Sequence, residues 1–254
     1  MPWGGPGARA RSGAPCLAAA LFLALGLLPG LARAESAPRI LAARFADPTT
    51  RYPHGVLGDE VEHGTLELDL AGGARRRFTL DPALVFEDVA PRLVDLDGDG
   101  ASEVIVVESH RARGARLAVW DATGRRAATP AIGRAFRWLA PLGAADLDGD
   151  GRVEIAYVDR PHLAKVLRLW RYDPVRGLRA LETTAADVSN HRIGWDRIPG
   201  GIRACPGGAE MILADGGWTQ VLALRLEAGG EITRRSLGPF TGPESLDAAL
   251  TRCD

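Results

Sequence analysis

Apolar residues in this chain come in short runs separated by polar gaps and turn residues. Val104–Val107, Leu117–Trp120, Ile155–Val158, Leu167–Trp170, Met211–Ala214 and Val221–Leu226 are each four to six residues long. They are rich in β-branched and aromatic side chains, and Gly, Pro and Asp cluster between them, which is the pattern of short strands joined by tight turns. Between these runs, Arg77–Leu80, Leu84–Val89 and Ala135–Ala140 supply further strand candidates. Only Glu244–Leu250, after Pro243, reads as a short helix.

The strands recur in units. Leu93–Val107 and Ala144–Val158 share Asp-Leu-Asp-Gly-Asp-Gly, a glutamate at the ninth position and an apolar strand. Each is followed by a second strand ending in Trp, Leu117–Trp120 and Leu167–Trp170. Gly208–Asp215 with Val221–Leu226, and His54–Asp59 with Thr65–Leu70, repeat that rhythm without the acids. Anchors at His54, Glu103, Glu154 and Glu210 stand 49, 51 and 56 residues apart. A period near 50 with about four strands per unit predicts an all-β fold, a β-propeller-like repeat of about four blades. Four units lie at the low end for that architecture, so a fifth incomplete blade and an open stack that dimerises are the alternatives.

The two acidic loops carry the candidate chemistry. Asp95, Asp97 and Asp99 alternate along one loop, and Asp146, Asp148 and Asp150 along the other. Alternate side chains of a tight loop converge, and three converging carboxylates repel unless a cation sits among them. Hard oxygen donors in that number suit calcium, because magnesium prefers fewer protein ligands and more water. Gly100 and Gly151 permit the sharp turn at position six. A backbone carbonyl at position seven, Ala101 or Arg152, and the glutamates Glu103 and Glu154 complete the expected shells. An EF-hand would need a glutamate at position 12 and flanking helices. Val106 and Tyr157 stand there instead, within strands.

Asp-Leu-Asp-Gly-Asp-Gly-x-x-Glu before an apolar strand resembles the calcium loop of FG-GAP/VCBS-type repeats, found in integrin α propellers and many secreted bacterial proteins. The resemblance is specific over 93–107 and 144–158 and extends over roughly 40–240 through the period alone. It implies a calcium-binding propeller serving adhesion or an accessory role. The Phe-Gly and Gly-Ala-Pro elements of that family are missing, and Ile202, Ala204 and Pro206 in the last repeat, like Ala46, Pro48 and Thr50 in the first, replace the aspartates. Two calcium sites are therefore expected, not four.

Composition adds the compartment. Arg9 and Arg11, the apolar stretch Cys16–Leu28, the Pro29-Gly30 break and Ala32-Arg33-Ala34 form a signal-peptide pattern with cleavage expected after Ala34. That stretch is shorter than the roughly 20 apolar residues of a membrane span. The expected domains are a leader at 1–34 and a propeller domain at 35–254, periplasmic or secreted, with no membrane span in the mature chain. Removing the leader takes three of 31 basic residues and none of 32 acids, leaving a formal charge of −4, which argues against a nucleic-acid partner. Cys205 and Cys253 remain, and an oxidising compartment predicts one disulfide between them.

No nucleophile elbow, zinc-protease helix, phosphate loop or Cys-x-x-Cys is present in the sequence. His191, with Trp195 and Asp196 nearby, is the most suggestive base. Trp120 and Trp170 recur at one strand position and are expected between blades, whereas Trp138, Trp195 and Trp218 are the candidates for a glycan-stacking surface. Arg75–Arg77 and Arg125-Arg126 could recognise anions or simply lie on solvated strand faces. The expectation is an exported calcium-binding, non-catalytic module for a protein or glycan ligand. The alternative is a small hydrolase or lyase acting on an extracellular polymer.

Overall fold

A computed structural model of the chain describes residues 38–253; the expected leader at 1–34 lies outside them. The described residues form 17 strands and one helix, nearly all in antiparallel ladders. Blade 1 consists of β1 (Ile40–Thr49), β2 (Glu62–Leu70) and β3 (Arg75–Thr79). β4 (Leu84–Phe86) bridges it to blade 2, pairing with the start of β2 and the end of β6 (Glu103–His110). Blade 2 runs β5 (Arg92–Val94), β6, β7 (Gly114–Asp121) and β8 (Gly124–Ala128). Blade 3 is β9 (Leu139–Ala145), β10 (Glu154–Asp159), β11 (Val166–Asp173) and β12 (Gly177–Ala186). A short β13 (Val188–Ser189) joins the edge of blade 4, which comprises β14 (Gly201–Cys205), β15 (Gly208–Asp215), β16 (Gln220–Leu226) and β17 (Ile232–Pro239). Helix α1 (Pro243–Leu250) follows.

The four-blade, propeller-like arrangement expected from the period is thus present, with one correction of register. His54–Asp59 forms no strand; the first hairpin pairs β1 with β2, Phe45 opposite Leu66. Sequence similarity placed the anchor in a loop because the first repeat lacks the acidic motif that fixes the register in the two middle repeats. Ala135–Arg137 also lie outside the strands, and β9 begins at Leu139.

Packing between blades follows from strand alternation, which sends successive side chains to opposite faces. Leu66, Leu68, Val104, Val106, Ala118 and Trp120 fill the space between blades 1 and 2. Ile105, Val107, Leu117, Val119, Ile155 and Tyr157 fill the next. Ala156, Leu167, Leu169, Met211, Leu213 and Leu224 fill the third. The middle strands β6 and β10 contribute to both neighbours, which explains their unbroken apolar runs. Cutting a buried leucine such as Leu167 back to alanine at one of these seams would cost about 2–5 kcal/mol.

The two ends of the row are finished differently. Blade 4 turns Ile212, Ala214, Val221 and Ala223 onto Leu246 and Ala249 of α1, so the amphipathic helix covers its outer face. Blade 1 presents Glu67 and Asp69 on its outer face, paired with Arg44, Arg75 and Arg77. A helical cap at one end and an ionic sheet face at the other are how stacked repeats stop without leaving an apolar face. Among the described residues, the four hydrophobic clusters join successive blades and the helix, and none joins blade 1 to blade 4.

The C-terminal segment is held by two devices on β14. Cys205 is disulfide-bonded to Cys253, as the sequence predicted, with Cα atoms 5.6 Å apart. Arg203, almost fully buried, donates to Glu210 at 2.6 Å and to the Ala249 carbonyl at 2.6 Å, next to the end of the helix. A guanidinium there satisfies carbonyls that the last helical turn leaves free.

Candidate metal centre

Both acidic loops connect the first strand of a blade to its second, β5 to β6 and β9 to β10. Their backbones are held alike. In the first loop Asp95 accepts from the Gly98 and Gly100 amides at 2.8 and 3.0 Å, and Glu103 accepts from the Leu96 amide at 2.8 Å. In the second, Asp146 accepts from Gly149 and Gly151 at 2.8 and 3.0 Å, and Glu154 from Leu147 at 3.0 Å. Gly100 and Gly151 take φ of 86° and 84°, the left-handed region where a side chain is strained, so the expected glycine turns are present. The apolar second positions, Leu96 and Leu147, are buried and pin each loop to an inter-blade core.

Carboxylate oxygens of Asp95, Asp97 and Asp99 lie within 4.8 Å of one another, as do those of Asp146, Asp148 and Glu154. Those spacings admit one cation, and oxygen donors alone suit a hard ion of the calcium kind. In the first loop burial and the neighbouring Asp99 and Asp95 charges push Asp97 upward. Burial, together with Asp97, Asp99 and Asp95, pushes Glu103 up to about 7. Such a cluster resists full ionisation until a cation enters, so the donor set fits the ion. Glu103 is buried and lies outside the converging group of Asp95, Asp97 and Asp99.

The second loop differs by one side chain. Arg171, on β11 directly opposite Glu154 in the ladder, donates through Nε to Glu154 at 2.6 Å. Its Nη1 reaches Asp150 at 2.8 Å and its Nη2 lies 3.2 Å from Asp148. Burial raises Glu154 while the Leu147 amide and Arg171 oppose it. Burial also pushes Asp150 up, but the Arg152 amide and the Arg171 guanidinium outweigh it and hold that carboxyl low. The four acids are present at this loop, and the fit to an ion is poorer because a cation is already among them. Sequence inspection missed Arg171, although its place opposite Glu154 follows from pairing the two strands.

Other candidates fall elsewhere. Trp138, expected at the surface, is buried between blades and donates to the Glu87 carbonyl at 2.8 Å. Trp195 and Trp218 are half-buried, 5.3 Å apart edge to face, with Arg192 over Trp218. Trp120 and Trp170 pack between blades as expected. His191 is buried with both ring nitrogens engaged, by His162 at 3.1 Å and by the Trp195 carbonyl at 2.9 Å. Its pKa is lowered by burial, so it is poorly placed as a base. Arg75, Arg77 and Arg125 pair with Asp69, Glu67 and Glu108, and Arg126 lies 3.4 Å from Asp121, so these arginines neutralise the protein's own acids.

A buried acidic cluster beneath the 52–62 loop has no counterpart among the sequence motifs. Glu87 is fully buried and bonds His54 and Ser109, with Asp88 and Glu62 close by. Burial and the Glu87, Asp59 and Asp88 charges push Glu62 up to about 9. The free edge of His54 opens on a cavity of about 310 Å³, lined also by Phe136, Arg137, Trp138, Arg160 and His162.

Fold and loops together define a class: an all-β, four-blade repeat protein with acidic loops between the first and second strands of its middle blades. Residues 95–157 match the family model described as FG-GAP-like repeat, a match that supports an FG-GAP-type repeat protein. The matched span begins at Asp95 and includes both acidic loops and the β6–β7–β8 hairpins between them. No match was found among curated proteins, and none among solved structures.

Proposed function

We propose that this chain is an exported, calcium-stabilised binding module that acts by engaging a partner, protein or glycan, and not by catalysis. The carrying observation is the first loop, where Asp95, Asp97 and Asp99 converge within 4.8 Å and, among the described residues, no basic side chain is bonded to them. Asp95, Asp97, Asp99, Glu103 and the Ala101 carbonyl would hold one ion. Asp146, Asp148, Asp150, Glu154 and the Arg152 carbonyl offer the second donor set. Bound calcium would supply charge neutralisation and fix the β5–β6 and β9–β10 connections. In the first loop the chain's own amides already orient Asp95, Asp97 and Asp99, so binding there requires little rearrangement.

An FG-GAP-type repeat supports a binding or interaction role. The Cys205–Cys253 disulfide supports an oxidising compartment, in keeping with cleavage after Ala34. No helix among the described residues is long and apolar enough to cross a membrane. Periplasmic or secreted chain should bind calcium in preference to magnesium when titrated calorimetrically. A chain that takes up neither ion refutes the calcium reading. Turnover on polysaccharides or phosphoesters, abolished by a single polar substitution in the His54 cavity, would favour the hydrolase or lyase alternative.

A further inference from the structure

We propose that Arg171 is an internal cation competing with calcium for the second loop, so that the two loops fill in sequence: the Asp95 loop first, the Asp146 loop only when the guanidinium withdraws. The inference rests on the calcium reading of the loops.

Three blades begin their second strand with a glutamate: Glu103 of β6, Glu154 of β10 and, two residues into β15, Glu210. The residue across the ladder from each glutamate decides what neutralises it. One step beyond the Val104–Trp120 pair, Glu103 meets Asp121, a further acid. Glu154 meets Arg171. One step beyond the Met211–Leu224 pair, Glu210 meets Arg225, which donates to it at 2.9 Å.

Blade 4 shows what the arginine does when it has replaced the ion. There β14 and β15 are joined by the two-residue turn Pro206-Gly207, and the aspartate loop is gone. Glu210 is neutralised by Arg203, Arg225 and Arg235 instead. Blade 2 is the opposite extreme: among the described residues no arginine bonds its four loop acids, and Arg126, which lines the same cavity as Asp97, Asp99 and Glu103, pairs with Asp121 instead. Asp121 is itself committed to the amides of Thr123 and Gly124 and lies 3.4 Å from Arg126, so it brings no cation into contact with the loop acids.

Blade 3 combines both arrangements. It keeps the whole acidic loop and carries the arginine. The Arg171 side chain is 12% exposed, and it touches three of the four carboxylates a calcium ion would need. An entering ion meets a net charge one unit less negative and must break three charge-assisted contacts, which are among the stronger hydrogen bonds. The expected result is one tight calcium and a second at least tenfold weaker.

Calorimetric calcium titration of the full exported chain, with the same titration of Arg171→Ala, Arg171→Gln and Asp97→Ala, tests this. Wild type should show one tight equivalent, and either Arg171 variant should tighten the second equivalent at least tenfold. Asp97→Ala isolates the second loop in an unaltered blade 3 and should retain only the weak equivalent, so the test survives if the Arg171 variants fold poorly. Two equivalents of equal affinity in wild type, or an unchanged second equivalent in a folded Arg171 variant, would overturn the proposal and leave the calcium reading standing. No calcium in any protein would overturn both.

Discussion

Arg171 and Glu154 face each other across the β10–β11 ladder with 2.6 Å between guanidinium and carboxylate, while the β6–β7 ladder one blade earlier stops at Val104 and Trp120, one step short of Glu103. Of two loops with the same six-residue acidic core, one thus has an arginine bonded to its carboxylates and the other, among the described residues, has none. The repeat preserved the loop, and the neighbouring strand decided its charge.

Asp97→Ala should remove the tight calcium equivalent. In excess calcium it should melt below wild type by several degrees, and in EDTA the two should melt together. Ion binding to the native state alone stabilises by about 2.7 kcal/mol at a hundredfold excess over Kd, a few degrees for a domain of this size. Scanning calorimetry under both conditions checks this. A variant equally destabilised in EDTA would mean that Asp97 works through its hydrogen bonds and not through an ion.

Reducing Cys205–Cys253 should destabilise the chain by roughly 4 kcal/mol on the chain-entropy account, since the bond spans 48 residues. Non-reduced peptide mapping of periplasm-derived protein should recover the crosslink. Two freely alkylated thiols in that material would contradict it.

Arg203→Met should destabilise by about 3 kcal/mol, because it leaves the Glu210 carboxylate with fewer partners and frees the Ala249 carbonyl. Hydrogen exchange should accelerate first in residues 243–250, where the helix loses its anchor. Uniform acceleration through all four blades would show that the residue supports the whole fold and not the cap.

Glu62 sets a pH dependence. Burial and the surrounding acids hold its carboxyl neutral up to about pH 9 in the folded chain, against 4.5 for the free group. Between those values the folded state binds the extra proton, so stability contributed by this site falls as pH rises through the window. Glu62→Gln should therefore raise the melting temperature at pH 8.5 by more than at pH 5. Equal shifts at both pH values would show that Glu62 ionises normally in the fold.

Much of the architecture was legible because the chain repeats itself. Strand alternation and a period near 50 located β6, β7, β10, β11, β15 and β16, and the acidic motif fixed the register of the two middle blades. Blade 1 was misplaced for want of that motif: its hairpin β1–β2 encloses the His54 loop instead of following it. The loop carboxylates that converge were readable since they are nearly contiguous in sequence. Arg171, 17 residues beyond Glu154, was not, because its effect exists only once the strands pair. The Glu62, Glu87 and His54 cluster escaped for the same reason, since it gathers residues up to 33 apart through the β4 bridge.

The central claim is that the Asp95 loop holds calcium as part of the folded protein. Thermal melting of the exported chain in EDTA, then with excess calcium and separately with excess magnesium, tests it most directly. Calcium should raise the melting temperature by several degrees and magnesium by much less. Identical melting curves in all three conditions would contradict the account.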